Sequence, residues 1–195
     1  MEDLGPQMLP TLRKLSLDDV IRIWAAMSEY TQQTLLMNQA VRIPGIGTFL
    51  VVEQQILDVG YSDVTVARPV FLLSETLADV HGLIFTQDNI PDDSAIAKLN
   101  YLQIATETDF PQRTVKGCVK EIAFSFCSCL AKRHNAELVF QDLGILVVQG
   151  KELQMRFYQN FLKSLDWTGK LLQTFLREVQ VSLASPPHME AGLCI

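Results

Sequence analysis

The stretch Val41-Arg-Ile-Pro-Gly-Ile-Gly-Thr-Phe49 constrains this chain more than any other. Apolar residues run into Pro44-Gly45-Ile46-Gly47 and emerge as Thr48-Phe49-Leu50-Val51-Val52. Proline fixes one φ and glycine supplies the positive φ that a tight turn needs, so the stretch reads as strand, turn, strand. A long helical pattern, Leu17 to Met37, precedes it. A weaker copy, Leu138-Val-Phe-Gln-Asp-Leu-Gly-Ile-Leu-Val-Val148, also follows a long helical pattern.

Around the first hairpin the chain reads as follows. Met8 to Leu15 can hold one short helix, interrupted by Pro10. Ser16 caps the next helix, with Asp18 and Asp19 in the first turn, where the helix dipole favours them. Its apolar stripe contains Leu17, Val20, Ile21, Trp24, Met27 and Leu35, with core packing expected for Trp24 and Tyr30. A strand from Thr48 to Gln54 leads to a protruding turn, 56–63, centred on Gly60. Val64 to Phe71 returns as a strand, and Pro69 argues for an edge position or a bulge. Leu72 to Val80 reads as a short helix, with Ser74 a candidate cap and Gly82 beyond its end. Residues 86–94, rich in Asp, Asn and Pro, form the linker.

The second half repeats this order. Ser94 caps an expected helix from Ala95 to Glu107, and Asp109-Phe-Pro111 breaks and restarts it. The next helix carries Val115, Cys118, Val119, Ile122, Phe126 and Leu130; Ala123 and Phe124 widen its apolar face. Asn135 is its expected cap. Strands Glu137–Phe140, Ile145–Gln149 and Glu152–Tyr158 follow, turning at Asp142-Leu-Gly144 and Gly150-Lys151. Asn160–Leu165 and Lys170–Val179 read as one or two helices, followed by a disordered tail, 183–195. Gly47 and Gly144 align at an offset of 97, which also sets Ile43 against Phe140 and Met27 against Phe124. The pattern is a diverged tandem repeat, with domains at 1–88 and 92–182.

Composition excludes several functions. Residues 1–90 hold five cations against eleven acids, a net charge of −6, and residues 91–195 balance at eleven of each. Neither half has the basic excess of a nucleic-acid binder. The longest strongly apolar run, Ile122 to Ala131, falls short of the ~20 residues that span a bilayer, and the N-terminus has no signal-peptide pattern, so an intracellular protein is expected. Gly45-Ile-Gly47 leads into a strand, the wrong context for a phosphate loop. His81, His134 and His188 lie in unrelated places, and Cys118, Cys127, Cys129 and Cys194 form no metal-spaced pair. No catalytic residue, metal or cofactor is expected.

Ile43-Pro-Gly-Ile-Gly-Thr-Phe49 with the return Arg68-Pro-Val-Phe71 resembles the bacterial HU and integration-host-factor fold. More closely, the chain is similar to the eukaryotic family of coiled-coil domain-containing protein 81, which carries two HU-like domains in tandem. His81-Gly-Leu83, Val115-Lys-Gly-Cys-Val-Lys-Glu121 and Met155-Arg-Phe-Tyr158 with Phe161-Leu162 support the likeness over about residues 10–175. The resemblance implies an α+β fold of two HU-like units, each a helix pair, a three-stranded antiparallel sheet and a C-terminal helix. The units pair as an intramolecular pseudo-dimer or across chains as a homodimer. It makes Pro44, Gly45, Gly47, Phe49, Pro69, Phe71, Gly144 and Phe157 structural motif residues. It also implies macromolecular recognition at the centrosome, hence a cytoplasmic protein partner.

HU-type proteins grip DNA with a cationic two-stranded arm and an apolar wedge. Here the first arm holds Glu53, Asp58 and Asp63 and no lysine or arginine, and the second copy has only Val148-Gln-Gly-Lys-Glu152 in its place. Phosphate neutralisation needs cations. The acids are therefore read as candidate contacts for a protein. A diverged DNA-binding HU-like protein is the alternative.

Overall fold

A computed structural model describes residues 9–58, 61–74, 77–78, 82–83, 96–132 and 134–166, with backbone alone for 56–58 and 61–64. A 3-10 turn, Leu12–Lys14, leads into helix α1, Leu17–Leu36. Ser16 caps α1 as expected: its hydroxyl accepts from the Asp19 N–H, and the Asp19 carboxylate accepts from the Ser16 N–H, each at 3.2 Å. At the other end Asn38 takes φ 57°, and Gln39 N–H reaches back to the Thr34 carbonyl at 3.1 Å. Strands β1 (Ala40–Ile43), β2 (Gly47–Asp58) and β3 (Tyr61–Leu73) follow.

The second unit opens with β4 (Ile96–Lys98) and helices α2 (Tyr101–Thr108) and α3 (Gln112–Ala131). Strands β5 (Ala136–Phe140), β6 (Gly144–Gln149) and β7 (Glu152–Phe157) then lead into helix α4 (Gln159–Leu165). The sheets have strand orders β3-β2-β1-β4 and β5-β6-β7.

The two hairpins are built alike. Ile46 N–H bonds to Ile43 O and Ser74 N–H to Ile46 O, at 3.2 and 3.0 Å. Leu143 N–H to Phe140 O and Tyr158 N–H to Leu143 O, at 3.1 and 3.0 Å, repeat both bonds. The offset of 97 therefore holds through both turns. It drops to 84 on the third strand, so the second hairpin is 13 residues shorter.

In the helices the offset is 95, from Leu17 against Gln112 to Leu36 against Ala131. Val20, Ile23, Trp24, Met27, Ser28, Thr31 and Leu35 then meet Val115, Cys118, Val119, Ile122, Ala123, Phe126 and Leu130, all buried. Met27 consequently aligns with Ile122 and not with Phe124, which is 39 % exposed. Between the helix and the hairpin turn the second unit holds two more residues than the first, so one offset cannot serve both halves of the repeat.

Other expectations are corrected. Residues 96–98 are strand and not helix, because the Asn100 side chain accepts from Gln103 N–H and starts the helix at Tyr101. The freed segment runs parallel to β1, with Ile96 beside Ala40 and Lys98 beside Arg42. Ladder bonding here overrides the local helix preference. Asn135 does not cap α3: its Oδ1 accepts from Gly150 N–H at 3.1 Å and pins the β6–β7 turn. The arm strands extend to Asp58 and from Tyr61, well into the stretch read as a turn. β3 runs to Leu73, so a helix cannot start at Leu72. Pro69 sits on the edge strand opposite Val51, where a missing N–H breaks no ladder bond. The linker 86–94, most of the helix at Leu72–Val80, the helix at Lys170–Val179 and the tail 183–195 lie outside the described residues.

One core joins the two units into an intramolecular pseudo-dimer. Phe49 lies 4.7 Å from Phe71 in its own unit, and 5.1 and 6.4 Å from Phe140 and Phe157 in the other, ring centre to ring centre. Trp24 packs at a tilt against Phe140, ring centres 5.4 Å apart, and its indole N–H donates to the Val139 carbonyl at 2.6 Å. The Arg22 guanidinium donates to Thr108 O at 2.6 Å and lies 4.9 Å from the Phe110 ring centre. Glu121 on α3 accepts from Thr11 N–H at 3.0 Å through each carboxylate oxygen and from Leu12 N–H at 2.8 Å.

Candidate interaction surface

The eight motif residues build the scaffold. Gly45 takes φ 81°, and Asp142 fills the same place in the second turn at φ 58°, a conformation that aspartate tolerates better than most residues. A Cβ on Gly47 would strike the Leu72 carbonyl and sit 2.6 Å from the Phe71 ring. One on Gly144 would strike the Arg156 carbonyl and sit 2.7 Å from Met155 Cε. Both glycines let the third strand lie against the turn. Phe49, Phe71, Phe157 and Pro69 are buried, and Pro44 is exposed at the turn.

The three acids do not form one cluster. They are spread along a two-stranded ribbon that continues past the three-stranded part of the sheet. β1 pairs with β2 only as far as Val41 against Phe49. Beyond it β2 and β3 pair alone, through Glu53 against Ala67, Gln55 against Thr65 and Asp58 against Tyr61. The register shifts between Ile56 and Asp58. Between those paired positions one β2 residue opposes two on β3, so the extra residue is on β3. Glu53 and Thr65 are exposed on the ribbon. Between Val52 and Arg68 there is no lysine or arginine. In the second unit the ribbon closes at once, with Gln149 against Glu152 around Gly150 at φ 64°.

The sheet face behind this arm is apolar. Ala40, Leu50 and Val70 form a second buried cluster, flanked by half-buried Val52 and Leu72. In the shorter sheet, alternation puts Glu137, Gln154 and Arg156 on the corresponding face, so the two units differ in surface as well as in arm length.

No group of three His, Cys, Asp or Glu among the described residues is placed to hold a metal ion. No helix there is long and apolar enough to cross a membrane. His81, His188 and Cys194 lie outside the described residues. No disulfide joins Cys118, Cys127 or Cys129. Burial pushes the Cys118 thiol up to about 12 from its ordinary 9.0, and the Glu121 carboxylate adds to the shift. The protonated thiol is favoured in the folded chain, so this stabilisation is complete below pH 9 and is lost as pH rises toward about 12. At pH 8 iodoacetamide is expected to leave Cys118 unmodified until the chain is denatured. Peptide mapping by mass spectrometry checks this, and labelling in the folded state would contradict the buried assignment.

Two helix-and-hairpin units around one core, one with an extended arm, define a tandem HU-like protein. Residues 1–85 match the family described as CCDC81 eukaryotic HU domain 1, and residues 95–169 match CCDC81 eukaryotic HU domain 2. The chain belongs to this family of tandem HU domains, which covers nearly its whole length.

Proposed function

We propose that the chain is a non-catalytic protein-binding module acting at the centrosome. The family supports the coarse reading, a macromolecular-interaction module. The observation favouring protein over nucleic acid is the arm: where a DNA-bending relative needs cations, this ribbon carries Glu53, Asp58 and Asp63 and no lysine or arginine. The pseudo-dimer also has one long arm where a symmetric HU dimer has two, so it cannot embrace a duplex from both sides. Titration into labelled duplex DNA at low salt, followed by anisotropy, is expected to give no binding. Sub-micromolar affinity that weakens steeply with salt would overturn the reading. The centrosomal site rests on the family resemblance; a tagged chain that fails to co-localise with a centrosome marker would remove it.

A further inference from the structure

We infer that the free edge of β2 in the arm takes an extended, cationic and apolar segment of a partner protein by strand addition. This rests on the protein-binding reading and gives it a place and a chemistry.

The first observation is the ladder. β1 leaves β2 after Phe49, and among the described residues no strand pairs with that edge of β2 from Val51 to Asp58. An unpaired edge is a template for another chain. The opposite side of the ribbon, on β3, carries Pro69, which offers no N–H and discourages pairing there. The same sheet already extends itself on its other side, where Ile96–Lys98 adds in parallel to β1.

The second observation is apolar. Three residues separate the end of α1 from the start of β1, and at that junction Leu36 is 45 % and Met37 64 % exposed. A strand laid along β2 past the start of β1 would meet this end of the helix. Its apolar residues would then cover surface the chain leaves in water. The third observation is charge. Glu53 is exposed on the ribbon, Asp58 and Asp63 lie nearer its tip, and no cation stands between Val52 and Arg68. A segment alternating lysine or arginine with valine or isoleucine matches all three; an acidic one is repelled.

The probe is a labelled peptide of alternating lysine and valine, about eight residues long, with a glutamate and valine peptide as control. The second unit supplies a design for removing the site. Gln149-Gly-Lys-Glu152 closes its hairpin, and the equivalent change replaces residues 53–67 by Gly-Lys between Val52 and Arg68. Saturable one-to-one binding of the lysine peptide at physiological salt is expected by anisotropy, with none for the control. Replacing the arm is expected to abolish it. Met37→Lys, on a side chain already in water, is expected to weaken it about tenfold with an unchanged melting temperature. Amide exchange is expected to slow within Val51–Asp58 when the peptide binds. Failure of the lysine peptide, equal binding by the control, binding that survives in the arm-replaced chain, or amides already protected in the free protein would each overturn the inference. The DNA titration is read separately, so a failed peptide experiment leaves the broader protein-binding reading standing.

Discussion

Phe49→Ala is expected to destabilise the whole chain by about 4 kcal/mol, in the range for losing a buried phenylalanine. Its ring is fully buried and touches Phe71 on one side and Phe140 and Phe157 on the other. The cavity would open between two sheets, each held by its own ladder, so neither can collapse far to fill it. For a chain this long the loss corresponds to a fall of roughly 12 °C in melting temperature. The decisive feature is the number of transitions. Because Phe49 belongs to both units, one transition is expected to move as a whole in calorimetry. A split trace, with the second unit melting at its wild-type temperature, would show that the shared core does not couple them.

The hairpins were legible in the sequence because turn chemistry is local. Pro44-Gly45-Ile46-Gly47 states its own geometry, and Gly144 is required by the same close approach of the third strand that requires Gly47. The Ser16 cap and the break at Asp109-Phe-Pro111 were legible for the same reason: a short side chain or a proline acts within three residues. Asp109 takes φ 58° at the break.

What was not legible depends on distant partners. Nothing within residues 95–98 announces a strand; the open edge of β1, some 55 residues earlier, makes it one. The full length of the arm is hidden for a related reason. Strand pairing past Gln54 is set by register across the ribbon, and a bulge absorbs the irregularity that reads locally as a turn. The interlocks between units were hidden as well. Trp24 shows in the sequence as a core residue, but its N–H partner is the carbonyl of Val139. Arg22 is only one of the first half's five cations in the sequence, yet its guanidinium closes the end of α2 in the other unit. The candidate surface divides similarly: the missing cations are plain in the sequence, whereas the free β2 edge and the exposure of Leu36 and Met37 appear only in the structure, once β1 is seen to stop short.

The largest hidden feature is Glu121, which the periodicity of α3 gives no reason to bury. It is 8 % exposed, and its carboxylate collects the Thr11 and Leu12 N–H groups at the start of the 3-10 turn. Gly117, one turn earlier on α3, leaves room for this approach, since a Cβ there would strike the Thr11 hydroxyl. Hydrogen bonds to a charged acceptor contribute about 1.5–3 kcal/mol each, and donors left buried without a partner carry a further penalty. Glu121→Ala is therefore expected to destabilise the chain by about 3 kcal/mol. Glu121→Gln is expected to cost about half as much, because one amide oxygen still accepts while the NH2 group faces a second donor. Denaturant titration gives the magnitudes. Amide exchange identifies the mechanism, with faster exchange at Thr11 and Leu12 expected in both variants and larger in Glu121→Ala. A destabilised Glu121→Ala chain whose Thr11 and Leu12 amides stay protected would assign the loss to packing within α3 and not to the tie between the units.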